Sequence, residues 1–164
     1  MVQYQGLLYR ALNPIYAQDP LSGEGARRFG GRFNARGVPA LYTSLSPHTA
    51  LRESAQVGTL QPTVLLAYEA EIERVFDART EAALVERGMT REALGMDDWR
   101  ERMRGGNLAQ TQRFAQSLIA DGFAALLVQS FARGAHDGDD NLVLYEWGRP
   151  ETQLRVIDDE KRLR

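Results

Sequence analysis

Alternation of apolar and polar residues predicts β-strands toward both ends of the chain. Residues 64–72 are apolar on both faces at first and on one face later, which predicts a strand that leaves the core as it proceeds. Shorter apolar runs predict further strands at residues 6–10, 41–43, 123–128 and 142–145, with an edge strand at 154–157.

Helix signals occupy the middle of the chain. Ser46 and Pro47 are a typical N-cap and first-turn proline, so a helix is predicted from there to about residue 57. Three further helices, each ending at a glycine, are predicted at residues 80–87, 90–104 and 107–121, the last with a buried stripe of Phe114, Ala115, Leu118 and Ile119. Strands at both ends and helices between them predict one α+β domain over residues 1–164 rather than a doubly wound sheet.

Composition narrows the class of protein. A length of 164 residues and a hydrophobic content of 43% suit a single domain, and a net charge of −2 disfavours a general DNA or RNA binder. The chain has no cysteine, so it forms no disulfides and offers no thiolate, which favours a reducing cytoplasm. It shows neither a signal-like N-terminus nor a long apolar run, so export and membrane insertion are not expected.

Metal binding and a hydrolytic triad are both disfavoured. The two histidines, His48 and His136, are too few for the usual zinc site, and neither has a serine or cysteine at a recognisable nucleophile spacing. The acidic loop through Asp137, Asp139 and Asp140 lacks the central glycine pattern and the final glutamate of a calcium-binding loop.

The segment at residues 23–37 interleaves five glycines with four arginines, inside a stretch at 13–39 that is too long for a plain connector. Glycine lets the backbone approach a ligand closely, and arginine forks match phosphate oxygens in pairs, so a polyphosphate or dinucleotide is one expected ligand. The other interpretation is a flexible, solvated basic loop. The dinucleotide-fold glycine fingerprint and the P-loop lysine motif are both missing.

Glu53 falls beside the apolar face of the helix predicted after Pro47, three residues after Ala50 and four before Val57. Burying a carboxylate is costly unless the group is paired or has a task. Glu53 is therefore either an edge glutamate paired with an arginine, or a carboxylate that works with the arginine segment. In the second case it would stabilise the oxocarbenium-like sugar that forms when a nucleotide loses its base.

Three further polar or aromatic residues stand at strand ends. Tyr42 precedes the Glu53 helix, where its ring could stack on a flat heterocycle or belong to the core. Ser130 and Asn141 flank the acidic loop, at the end of one predicted strand and the start of another. Such edge positions commonly hold ligand contacts, although polar residues there are also ordinary strand endings.

These same residues resemble the RES domain, which is named for its arginine, glutamate and serine and forms the toxin half of bacterial toxin–antitoxin pairs. The resemblance covers nearly the whole chain and lies in residues 9–10, 30–34, 37–39, 41–44 and 141–142, with Glu53 and Ser130. Phe33 stands where the family often has tryptophan, a departure that affects packing more than chemistry.

The resemblance implies a fold similar to the diphtheria-toxin-like ADP-ribosyltransferases, with a split central β-sheet, flanking helices and NAD in a cleft. It also implies the catalytic residues Arg32, Glu53 and Tyr42. Arg10 and Arg32 would hold the pyrophosphate and ribose, Tyr42 would stack on nicotinamide, Glu53 would oppose the sugar cation, and Asn34, Ser130 and Asn141 would complete the NAD pocket.

The family uses NAD as a substrate, so the resemblance implies neither a cofactor nor a metal. It further implies a partner, an Xre-type helix-turn-helix antitoxin that blocks the cleft within an oligomeric toxin–antitoxin complex and supplies the only contact with DNA. Phosphate, water and a side chain of a target protein, such as a metabolic enzyme, stay open as acceptors of ADP-ribose. A rival from another class is a module that binds a nucleotide or nucleic acid without chemistry.

Overall fold

The computed structural model describes residues 1–55 and 58–163. This part of the chain contains six strands, β1 (Val2–Leu12), β2 (Leu41–Ser44), β3 (Val64–Asp77), β4 (Ala125–Gln129), β5 (Asp140–Leu144) and β6 (Thr152–Val156). Its six α-helices are α1 (Glu24–Phe29), α2 (Pro47–Ser54), α3 (Glu81–Glu86), α4 (Arg91–Leu94), α5 (Trp99–Arg104) and α6 (Gln110–Ala120). The single α+β domain is as the residue pattern predicts, and its sheet is mixed, with one parallel pair among antiparallel ones.

Five of the strands form a closed ring in the order β1, β2, β5, β4 and β3, because β3 also pairs with β1. The β1–β3 pairing extends along almost the whole of β1, whereas β1 meets β2 through the single pair Tyr9 and Ser44 in the described part of the chain. The strands therefore part between β1 and β2. β6 pairs with β3 as the predicted edge strand, and β3 with β4 is a parallel pair.

Apolar residues fill both faces of the central strands. In β4, Leu126 and Val128 face the cluster that contains Phe114 and Leu118 of α6, while Leu127 faces a second cluster on the other side. Because β4 is covered on both faces, it is the continuous apolar run that a fully buried strand requires. No helix among the described residues has the length and hydropathy that crossing a bilayer requires.

The direction predicted for β3 is wrong. Residues 65–73 alternate between buried and exposed positions, and Val75 and Phe76 are then buried together where β3 pairs with β4. The strand thus enters the core as it proceeds instead of leaving it. Its first part pairs with β1 and β6 and leaves one face open, a tertiary arrangement that the local pattern does not report.

The single helix predicted at residues 90–104 is two short helices, α4 and α5. The Arg32 guanidinium donates to the carbonyl oxygens of Leu94 and Met96, which a continuous helix would use for its own hydrogen bonds. Gly95 lies against the ring of Phe131, so close that an added Cβ would come within 3.0 Å. The break therefore results from contacts with distant parts of the chain.

Most of the predicted helix ends are confirmed. The Ser46 side chain accepts a hydrogen bond from the Thr49 amide at 3.1 Å and begins α2. α2 ends at Ser54, and Val57, to which the prediction extended, lies outside the described residues. The stretch at 13–39, for which the pattern predicted no element, contains α1 and a turn of 3-10 helix at Pro14–Tyr16.

Candidate active site

Glu53, Ser130 and Asn141 come together although they are far apart in sequence. The Glu53 Oε1 atom accepts hydrogen bonds from Ser130 Oγ at 2.5 Å and from Asn141 Nδ2 at 2.7 Å. Asn141 Oδ1 in turn accepts from Ser44 Oγ at 2.7 Å. Two donors on one oxygen fix the direction of the carboxylate, and charge-assisted bonds of this kind are the stronger ones.

The register of the sheet explains this convergence. Asn141 in β5 pairs with Ser44 on one side and with Val128 of β4 on the other. Ser130 comes just after β4, and the helix that carries Glu53 begins just after β2. The ends of neighbouring strands therefore bring Ser44, Ser130 and Asn141 to one edge of the sheet. Glu53 bonds there to Ser130 and Asn141.

Tyr42 lies at the centre of the cleft with its hydroxyl turned inward. The hydroxyl donates to Asn34 Oδ1 at 2.5 Å and accepts from the Phe33 amide at 3.1 Å. Burial raises the pKa of Tyr42 well above its ordinary value, so the phenol stays neutral. An added Cβ on Gly31 would come within 2.5 Å of this hydroxyl, which explains why glycine stands there.

Asn34 is only 1% exposed, and its side chain bonds to the protein itself. Its Nδ2 donates to the Ala26 carbonyl at 2.8 Å and to the Val38 carbonyl at 2.9 Å. Buried Gln112 supports the same loop by donating to the Gly31 carbonyl at 2.9 Å. In this structure Asn34 shapes the loop and holds Tyr42 in place, whereas the family resemblance implies a place for it in the NAD pocket.

Arg32 contacts the loop between α4 and α5. Its guanidinium donates to the carbonyl oxygens of Leu94 at 3.3 Å and Met96 at 2.6 Å, pairs with Asp97 at 2.5 Å, and lies over the Phe131 ring. The Arg32 side chain is 13% exposed, whereas that of Asp97 is 81% exposed. Arg32, the predicted phosphate-binding residue, is thus held within its own chain by one solvated carboxylate and two backbone carbonyls.

Three adjoining cavities meet at Tyr42. The first, of about 220 Å³, opens where β1 and β2 part and reaches Glu53. The second, of about 210 Å³, lies on the other side of Glu53 and has aromatic walls made by Phe33, Tyr42, Trp99 and Phe131. The third, of about 370 Å³, is bordered by Arg10 and Arg32 with the glycine segment 30–31.

Several residues that line the cavities were not predicted from the sequence. Trp99 and Arg100 begin α5 and stack on one another, with the guanidinium 4.2 Å from the ring centre. Phe131 follows Ser130 directly, so its position beside a predicted site residue was the one available signal. For Trp99 and Arg100 the sequence offers none, because the break between α4 and α5 is what brings them to the cleft.

The cleft combines three chemical capacities. A carboxylate fixed by two donors can stabilise a positive charge, aromatic walls can hold a flat ring, and guanidinium groups can bind an anion. Arg10, whose Nη1 donates to the Pro20 carbonyl at 3.0 Å, borders the first and third cavities. Among the described residues no cluster of histidine and carboxylate side chains could hold a metal ion.

Comparison with known proteins identifies a family and a similar solved structure. Residues 7–164 match the RES domain family. A chain of the M. tuberculosis MbcT–MbcA toxin–antitoxin complex, known from a crystal structure, is 27% identical and superimposes with a TM-score of 0.63. That alignment covers 96% of this chain and 85% of the other. None of the curated proteins compared matches this chain.

Proposed function

The chain belongs to the RES domain family, and from this membership we propose that it is the toxin of a toxin–antitoxin system that cleaves the nicotinamide–ribose bond of NAD. The similarity to a chain of a toxin–antitoxin complex supports this proposal. We also propose that the parting between β1 and β2 corresponds to the split sheet of diphtheria-toxin-like ADP-ribosyltransferases. The cleft at that parting would then be the NAD site.

The observation that carries the proposal is the Glu53 carboxylate, fixed by Ser130 and Asn141 between two cavities. When the bond between ribose C1′ and the nicotinamide nitrogen breaks, its electron pair leaves with nicotinamide. The sugar then carries positive charge. A carboxylate that is already oriented stabilises this charge without having to reorganise during the reaction.

The aromatic cavity suits the departing group. Nicotinamide is a flat ring, and the walls made by Phe33, Tyr42, Trp99 and Phe131 offer faces on which it can stack. Tyr42 stays neutral and its hydroxyl is occupied, so it contributes its ring and not a proton. This agrees with the stacking role that the family resemblance implies for Tyr42.

Arg10 and Arg32 border a common cavity and are proposed to hold the pyrophosphate. The Asp97 carboxylate occupies one side of Arg32, and a phosphate oxygen would replace it there with similar geometry. The carbonyl oxygens of Leu94 and Met96 would keep the guanidinium in place during this exchange. Phosphate, water and a protein side chain stay open as acceptors of ADP-ribose.

The partner is proposed to be an Xre-type helix-turn-helix antitoxin that covers the cleft in a larger complex. NAD is the substrate in this scheme, and the chemistry needs no cofactor. The alternative function is a module that binds a nucleotide or nucleic acid without chemistry, and the contacts of its arginines give it little support. Within the basic segment, Arg27 pairs with Glu24 and Arg32 with Asp97, which reduces the charge available to nucleic acid.

Substitution Glu53→Gln tests the proposed function. Glutamine keeps the oxygen that accepts from Ser130 and Asn141 but removes the charge, so the rate of nicotinamide release from NAD should fall by roughly a hundredfold or more. Thermal unfolding should change little. Mass spectrometry of the products, with and without phosphate and cell lysate, would identify the acceptor.

Glu71→Gln is the matched control, because Glu71 is an exposed carboxylate on β3 away from the cleft. It should release nicotinamide at the rate of the unmodified protein. A Glu53→Gln protein that retains the full rate would refute the role of the carboxylate. An unmodified protein that binds NAD but releases no nicotinamide would support the binding module instead.

A further inference from the structure

One face of α2 is attached to the loop between β4 and β5, at residues 130–139, and to the start of β5. Thr49, Arg52 and Glu53 share this face, because residues three and four positions apart in an α-helix are neighbours. Glu53 bonds to Ser130, the first residue of the loop, and to Asn141 in β5, whereas Thr49 and Arg52 bond to Asp139 at the end of the loop. The contacts of Asp139 therefore lie within one helical turn of the Glu53 carboxylate.

Asp139 holds the loop and the helix at the same time. Its Oδ2 accepts from Arg52 Nη1 at 2.8 Å and from the His136 amide at 2.8 Å, and its Oδ1 accepts from Thr49 Oγ1 at 3.3 Å. The His136 amide, followed by the Arg52 guanidinium, lowers the pKa of Asp139, so its carboxylate stays charged. The Asp139 carbonyl also accepts from the Ser130 amide at 2.7 Å.

We propose that Asp139 is a positioning residue that sets the location of the Glu53 carboxylate relative to Ser130 and Asn141. The kinetic consequence rests on the proposed function. A partly exposed ion pair contributes little to global stability. The main effect of the Arg52–Asp139 pair is therefore to fix the position of α2 against the loop. A displacement of about 1 Å at a reacting centre can lower a rate by as much as a hundredfold.

Kinetics of nicotinamide release from NAD test this role in Asp139→Ala. The kcat should fall roughly tenfold or more, while KM changes less than twofold, because Glu53 opposes a charge that develops only in the transition state. In a Glu53→Gln background the same substitution should have no further effect, since Asp139 acts through Glu53. Equal losses in both backgrounds would overturn the proposal.

Two companion variants keep the test decisive. Asp137→Ala removes an exposed carboxylate from the same loop and should leave kcat unchanged. Arg52→Gln breaks the same ion pair from the helix side and should reproduce the loss of kcat even where Asp139→Ala fails to fold. Normal kcat in a folded Arg52→Gln protein would overturn the proposal.

Crystal structures of the unmodified and Asp139→Ala or Arg52→Gln proteins separate this proposal from the proposed function. The distances from Glu53 Oε1 to Ser130 Oγ and Asn141 Nδ2 should lengthen or the bonds should break. Unchanged distances overturn the positioning role, whatever the substrate is. If the unmodified protein releases no nicotinamide while the distances do change, the proposed function fails and the positioning of Glu53 stands.

Discussion

The contacts of Arg32 show how a single side chain can serve both structure and substrate. Two of its partners are backbone carbonyls at 3.3 and 2.6 Å, and these determine where α4 ends. The third, Asp97, is largely solvated and is the partner that an anionic ligand can displace at least cost. Arg28 is exposed, stacks on Phe29 and has no such position in the cleft.

Arg32→Ala should therefore raise KM for NAD and also lower kcat. The first effect follows from loss of the proposed phosphate contact. The second follows from movement of the loop that leads into α5, whose first residue, Trp99, lines the aromatic cavity. Steady-state kinetics of nicotinamide release measure both. Arg28→Ala is the matched control and should change neither parameter by more than about twofold, because it removes a solvated charge. Equal, small effects of both substitutions would favour the solvated-loop interpretation of the basic segment.

At this scale the sequence predicted which residues would meet, but not all that they would do. Ser130 and Asn141 could be chosen from their positions at the ends of predicted strands, Glu53 from its place beside the apolar face of a predicted helix, and all three from the family resemblance. The buried position of Asn34 could not, since a polar side chain in the interior depends on partners that only the folded chain supplies, here Ala26 and Val38.

At the scale of elements, the sequence was most informative where a helix end depends only on residues of that helix and the one that follows it. The glycines predicted to end helices at 88, 106 and 122 all have positive φ, and the following amide closes each helix end onto a carbonyl five residues back. Gly95 was a local signal for a break between α4 and α5. The apolar pattern on either side of it nevertheless favoured one continuous helix. Arg32, some sixty residues earlier in sequence, sets that break.

The end of α6 gives a quantitative prediction for one of these glycines. Gly122 has φ +87° with no atom near a hypothetical Cβ, so Gly122→Ala meets only backbone strain. The free energy of unfolding, measured by urea denaturation, should fall by about 1 to 2 kcal/mol. Gly25→Ala is the control. Gly25 lies in α1 with helical backbone and open space, so alanine there should be neutral or slightly stabilising. An unchanged unfolding free energy for Gly122→Ala would contradict the strain argument.

At the scale of the whole molecule, the ring of strands explains why the site lies where it does. Among the described residues β1 meets β2 through the single pair Tyr9 and Ser44, and the first cavity opens beside this junction, between the two strands. The α+β class could be predicted from the order of elements. The ring itself could not, since the partner of β1 across it is set by pairings between distant segments.

The arrangement of charge in the cleft predicts how the whole molecule would be controlled. The Asp97 carboxylate already accepts a hydrogen bond from Arg32. A partner protein that presents acidic side chains to Arg10 and Arg32 would therefore bind through the same contacts as the proposed substrate phosphates. Inhibition by such an antitoxin should therefore compete with NAD. Raising the NAD concentration in the nicotinamide-release assay should restore the rate, whereas inhibition that is independent of NAD would place the partner elsewhere.

Expression of the chain alone in a bacterium tests the same proposal in the cell. An uninhibited enzyme that consumes NAD should arrest growth and lower the cellular NAD content. Both effects should require the Glu53 carboxylate. The Glu53→Gln chain, expressed to the same level, is the control and should permit normal growth. Co-expression of the proposed antitoxin partner should restore growth and NAD together, because a covered cleft admits no substrate. Growth arrest at constant NAD would exclude depletion as the cause, and modification of a target protein or binding of nucleic acid would then have to explain the toxicity.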